Sequence, residues 1–142
     1  MSIITTLPEE YILGHDAIDT QHEVLFCIYK EVEHYLNVSD NAFPVEAIFN
    51  GLTHYVGTHF AYEEVLMKES GYPDRPNHEH EHATLCSHVG GVVSDYAEAE
   101  GDQEQQLAIV RELKAFLDTW LTMHISVVDR QMVEHLLKSK TE

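Results

Sequence analysis

Between residues 59 and 82, two pairs of polar side chains stand four residues apart: His59 with Glu63, and His78 with His82. On a helix, residues at that spacing share one face, one turn above the other. Gly71, Pro73 and Pro76 lie between the pairs and break the helix. The stretch therefore folds back as two antiparallel helices, bringing three imidazoles and a carboxylate together. Such a set suits a metal ion far better than a hydrophobic core, where an unpartnered imidazole or carboxylate costs on the order of several kcal/mol.

The chain on either side repeats the pattern. Apolar residues recur with helical period along four stripes, each interrupted by polar groups near its middle. The first runs from Ile18 through Leu25, Tyr29 and Val32 to Leu36, with His22 in line. The second takes in Ile48, Leu52, Tyr55 and Leu66 beside His59 and Glu63, and the third Leu85, Val89 and Tyr96 beside His78 and His82. The fourth passes from Leu107, Leu113, Leu117 and Trp120 through Leu121 and His124 to Val128 and Met132, with Asp129 nearby. Asn37 and its successors read as a loop, and Pro44 suits the first turn of the second helix. Gly71 stops that helix, the third begins near Asp74 to Pro76 and ends at Gly101, and Asp102 suits an N-cap of the fourth. Gly90 and Gly91 suggest a close approach to a neighbouring helix. No stretch alternates with period two. The expected fold is all-α, an up-down-up-down antiparallel four-helix bundle over residues 17–138. An extended arm over residues 1–16 precedes it within one domain of residues 1–142.

Composition removes several function classes. The 142 residues carry 25 acidic against 8 basic side chains, a formal charge of −17, which repels nucleic acid and anionic lipid. No signal peptide or membrane-length apolar run is present, so a cytoplasmic protein without membrane insertion is expected. A monomer is the simplest expectation, and no delivery partner is legible. Cys27 and Cys86 fall in apolar helical patterns and read as two buried thiols. Histidine is the anomaly, at 11. His34, His54, His80, His88 and His135 lie off the ligand face or away from its level and read as surface residues, as do Glu64, Glu79 and Glu81.

Seven polar groups at one level of a core require a shared partner, and a pair of divalent metals, with Glu63 and Asp129 able to bridge them, is such a partner. Imidazole and carboxylate donors suit iron, manganese or zinc without choosing among them. His124 and Asp129 are five apart, about 140° on a regular helix. Either the aspartate reaches around or the helix widens into a π-type turn; the reach is preferred here.

Four blocks resemble the hemerythrin family, in its bacterial single-domain form. They are Ile18-Asp19-Thr-Gln21-His22-Glu-Val-Leu25-Phe26, His59-Phe60-x-x-Glu63-Glu64-x-x-Met67, Tyr72-Pro73 followed by His78-x-x-x-His82, and Trp120-Leu-x-x-His124-Ile125-x-x-x-Asp129. The resemblance covers about residues 18–132. Two departures fall in the arm: Tyr11 is the nearest aromatic where bacterial members usually have tryptophan, and His15 stands where an aliphatic residue is common.

The resemblance implies two iron ions, Fe2+/Fe3+, bridged by Glu63, Asp129 and a solvent-derived oxygen. One would be held by His78, His82 and His124, the other by His22 and His59 with a position left open for O2. It further implies reversible dioxygen binding for carriage, storage, delivery or sensing, not an enzyme. With no signalling domain attached, a free-standing carrier is expected. The alternative is a di-iron oxidase or peroxide-consuming enzyme on the same metals, although the four-carboxylate scheme of ferritin-like enzymes is not met by two. Val56, Phe60, Leu121 and Ile125, apolar neighbours of His59 and His124, are the expected walls of the O2 pocket.

Overall fold

The computed structural model describes residues 7–37 and 45–141, without the side chains of the last two. The expected loop after Asn37 and the placement of Pro44 lie outside the described residues. Four rods form the molecule: α1 (Asp16–Asn37), α2 (Val45–Ser70), α3 (Arg75–Glu98), and a composite of α4 (Gln103–Trp120), a π-helical segment (Leu121–Asp129) and α5 (Arg130–Thr141). Each rod packs against the next and α4 packs back on α1, while α5 leans across to α2. This is the expected antiparallel four-helix bundle, and no strand occurs among the described residues.

Local chemistry sets the ends. At the end of α2, Gly71 takes a φ of 67°, its N–H donates to the Lys68 carbonyl, and the Tyr72 N–H donates back to Met67 at 2.9 Å. The pair caps the last turn, and glycine supplies the left-handed backbone without strain. Asp102 accepts from the Gln105 N–H at 3.1 Å as the N-cap of α4. His15, the odd residue of the arm, does the equivalent for α1 by accepting from the Ile18 N–H at 3.3 Å.

The described part of the arm is pinned to the bundle. Both carboxylate oxygens of buried Asp19 accept backbone N–H groups, from Leu13 at 2.8 Å and Gly14 at 3.0 Å. Tyr11 packs on Phe26 and meets the Thr122 hydroxyl, and Arg130 donates to the Glu10 carbonyl. Leu7 and Leu13 are buried, whereas Ile12 faces solvent. The arm thus lies along the π-helical segment.

Three expectations are corrected here. Cys27 and Cys86 are exposed, because each falls just outside the buried arc of its helix. Gly90 and Gly91 face open space, with no neighbour within 4 Å of where a Cβ would stand, so they mark no close helix approach. Val128 is half-buried; Met132, Val133 and Leu136 carry the inward face beyond the π-helical segment.

Asp19→Ala should cost about 1–3 kcal/mol, since it strips two backbone donors of a partner, one of them buried. Urea unfolding measures the loss, and limited proteolysis should cut the freed arm near Tyr11. An unchanged midpoint and an uncut arm would show that Asp19 holds nothing.

Candidate metal centre

Among the described residues, eight polar or charged side chains are buried: Asp19, and the seven singled out from the sequence. His22, His59, Glu63, His78, His82, His124 and Asp129 are each at most 2% exposed. All five imidazoles aim Nε2 at the two carboxylates.

Each carboxylate divides its oxygens between two sets of imidazoles. Glu63 turns Oε2 toward His59 (3.1 Å) and His22 (3.5 Å), and Oε1 toward His82 (3.1 Å) and His78 (3.4 Å). Asp129 turns Oδ2 toward His22 (3.0 Å), and Oδ1 toward His78 (2.9 Å) and His124 (3.0 Å). Two clusters result, each with its donor atoms within 4.8 Å of one another: Glu63, His78, His82, His124 and Asp129; and His22, His59, Glu63 and Asp129.

Although close, both oxygens of Glu63 and of Asp129 lack hydrogen-bond partners, as do the Nε2 atoms of His22, His78, His82 and His124. These atoms converge on common points instead of aligning donor to acceptor. An orphaned buried carboxylate or imidazole is costly, so the donor set fits a pair of cations. With nitrogen and oxygen donors only, and both thiols at the surface, it is a borderline-to-hard site.

His124 and Asp129 are brought to one face by backbone shape. The expected reach of the Asp129 side chain is corrected: Leu121–Asp129 is π-helical. Hydrogen bonds to the fifth residue put more residues into each turn, so positions five apart come nearly into line.

Sequence reasoning missed the partners behind the ligands. His59 Nδ1 donates to Gln21 Oε1 (2.6 Å), His82 Nδ1 to Glu64 (2.9 Å), and His124 Nδ1 to Glu81 (3.0 Å). Glu64 and Glu81 are therefore not merely solvated. Each such bond fixes the tautomer that leaves Nε2 free to ligate. A signal did exist, because each partner adjoins a ligand in sequence: Gln21 beside His22, Glu64 beside Glu63, Glu81 beside His82. One residue along a helix turns about 100°, which carries the side chain to the seam with the next helix. Rings add support: Phe60 stacks on His82 (centroids 3.7 Å apart), Trp120 on His124 (4.0 Å) and Tyr55 on His59 (5.8 Å).

The remaining histidines are elsewhere. His34, His54 and His80 are exposed, and Glu79 pairs loosely with Arg75. His88 stacks on Phe116, and His135 Nε2 meets the Ser70 carbonyl at the end of α2. Of the expected pocket walls, Val56, Phe60, Leu121 and Ile125 are all buried. Phe60 touches His59 but lies flat on His82, so it serves both clusters.

In the metal-free protein, burial by itself would lower the pKa of His22 and of His78. Asp129 and Glu63 outweigh it and hold each at about 9. Burial would raise Glu63, but His59, His22 and His78 hold it well below the usual range, and Asp129 is lowered likewise by His124 and His22.

Among the described residues no helix is long and apolar enough to cross a membrane. In comparison with known proteins, the family described as Hemerythrin HHE cation binding domain matches residues 13–136. A bacteriohemerythrin of Stenotrophomonas maltophilia is 27% identical, over 87% of this chain and 76% of its own length. Those of Methylococcus capsulatus and Clostridium acetobutylicum are 25% and 28% identical, over 92% and 89% of this chain and 94% and 96% of theirs. No solved structure matches.

Two predictions follow from this geometry. Replacing His59 or His124 by Ala should lower the bound metal per chain, whereas His54→Ala and His80→Ala should keep it. His135→Ala should keep it too while costing about 1 kcal/mol through the Ser70 carbonyl. Metal analysis of purified variants decides, and equal losses throughout would dissolve the distinction.

The second concerns pH. The stability that His22 and His78 contribute in the metal-free protein is complete below their ordinary 6.5 and is lost as pH rises through about 9. Glu63 and Asp129 contribute stability that is present above their ordinary 4.5 and 3.8 and is lost as pH falls through their lowered values. The metal-free protein should thus weaken by on the order of a few kcal/mol between pH 6.5 and 9, while the metal-loaded form, its imidazoles already deprotonated, should not. Urea titrations across this window test it, and parallel profiles for the two forms refute it.

Proposed function

We propose that this chain, which belongs to the hemerythrin family, binds O2 reversibly and serves to carry, store, deliver or sense it. The family holds a di-iron centre, and the buried cluster is able to hold the two ions. His78, His82 and His124 would hold one, His22 and His59 the other, with Glu63 and Asp129 spanning both. When bound, the iron pair supplies one electron from each ion and a coordination position for O2.

The observation that carries the reading is the split of each carboxylate. Glu63 and Asp129 each offer one oxygen to either set of imidazoles, so neither cluster is complete without both. What surrounds them favours a carrier over an enzyme. Val56, Phe60, Leu121 and Ile125 are buried and carry no proton to give. Tyr55, the phenol stacked on His59, spends its hydroxyl on the Gln21 carbonyl, and burial together with Glu63 pushes its pKa upward. Leu121 also lines an outer cleft of about 250 Å³, with Tyr11, Phe26 and Tyr29, and is itself buried. The same reading takes the chain as one cytoplasmic domain that acts as a monomer.

Admitting O2 to the reduced, iron-loaded protein should raise a charge-transfer band in the visible, and removing O2 should abolish it. Leu121→Glu and Ile125→Glu should each hasten autoxidation by roughly tenfold or more, because they place an acid and water in an apolar wall. The decay of the band at matched iron content measures this. A band that never reverses, or decay unchanged by either substitution, would support an oxidase instead.

A further inference from the structure

The two halves of the centre differ in what stands behind their imidazoles. In the first half His82 and His124 each donate Nδ1–H to a carboxylate, Glu64 and Glu81 respectively, and each is covered by a ring lying nearly flat on it, Phe60 at 4° and Trp120 at 13°, while the third imidazole, His78, has no Nδ1 partner among the described residues. On the other side, His59 donates to the neutral amide of Gln21 and is covered by Tyr55, nearly parallel at 10° but farther off at 5.8 Å, and His22 Nδ1 has no hydrogen-bond partner among the described residues. Glu63 and Asp129 are shared and do not discriminate between the halves.

A carboxylate that accepts Nδ1–H does two things an amide does not. It draws the proton outward and leaves Nε2 a stronger donor, and it places a full negative charge within reach of the cation. Flat stacking removes the other source of loss, the freedom of the ring to turn away. We infer that Glu64 and Glu81 are positioning residues that make the His78/His82/His124 half load first and hold its metal more tightly, leaving the His22/His59 half as the exchangeable one. This rests on the metal-centre reading above.

The structure supplies its own reporter. Trp120 is the sole tryptophan of the chain and stacks on His124, so an open-shell ion in the first half quenches it directly. Titrating the metal-free protein with Co2+ under exclusion of O2 should bring the quench to completion within the first equivalent, with the second, followed by native mass spectrometry, adding little. Glu64→Gln and Glu81→Gln should each weaken the first equivalent by roughly 10–100-fold and leave the second alone. Both side chains are partly exposed, at 36% and 43%, so the changes leave the core intact. Gln21→Glu should do the reverse and tighten the second equivalent, a gain that no folding defect produces.

A quench that arrives with the second equivalent, or in equal shares over both, overturns the inference. So does first-equivalent affinity that survives both Gln substitutions, or a Gln21→Glu protein whose second equivalent is no tighter. Because no O2 enters the measurement, a protein that loads in this order yet binds no O2 would refute the carrier reading alone.

Discussion

Five imidazoles and two carboxylates stripped of water at one level of the core are the constraint to which the rest of the bundle answers. Without cations, their mutual attraction has to offset the cost of drying them, and it does so only while His22 and His78 stay protonated. The apolar layers on either side, with Ile18, Leu25, Leu52, Leu85 and Leu117 almost wholly buried, bear the folding free energy. The polar level is carried by that packing until metal arrives. Binding free energy then becomes folding free energy, because the arrangement of donors does not exist in the open chain.

The same groups also tie the helices to one another. Gln21 on α1 holds His59 on α2, Glu64 on α2 holds His82 on α3, and Glu81 on α3 holds His124 on the π-helical segment. The bonds run around the bundle in one sense and stop at the seam between the fourth rod and α1, where His22 Nδ1 finds no partner among the described residues. That seam is where the N-terminal arm lies: Tyr11 packs on Phe26 of α1 and meets Thr122 of the π-helical segment. An external strap thus stands at the one seam without such a bond, and Asp19 anchors it.

Much of this was legible in the sequence, for a physical reason. A polar group interrupting an apolar helical stripe is expensive unless it is shared, so seven interruptions at one level point to a single cause. The ends of α2, α3 and α4 were legible as well, since Gly71, Pro76 and Asp102 act through local backbone chemistry. What escaped depends on contacts across seams. Glu64 and Glu81 look like any surface glutamate until the next helix supplies an imidazole. Cys27 and Cys86 sit among apolar neighbours and still face water, because one step around a helix separates inside from outside. The five-residue spacing of His124 and Asp129 leaves a π-type turn open without favouring it over a reach of the side chain, and a regular period carried through residues 121–129 misplaces Val128.

That widened segment gives the fourth rod a property that its three companions lack. A π-helical stretch holds one more residue per turn than the α-helix it interrupts, and everything beyond it is rotated accordingly. Straightened into uninterrupted α-helix with all its residues kept, the stretch would swing Asp129 away from Glu63 and roll Met132, Val133 and Leu136 by about 100° relative to α4, and only the loss of one residue would bring them back. Residue count inside this stretch, more than residue identity, therefore keeps the metal level and the last stretch of core in phase.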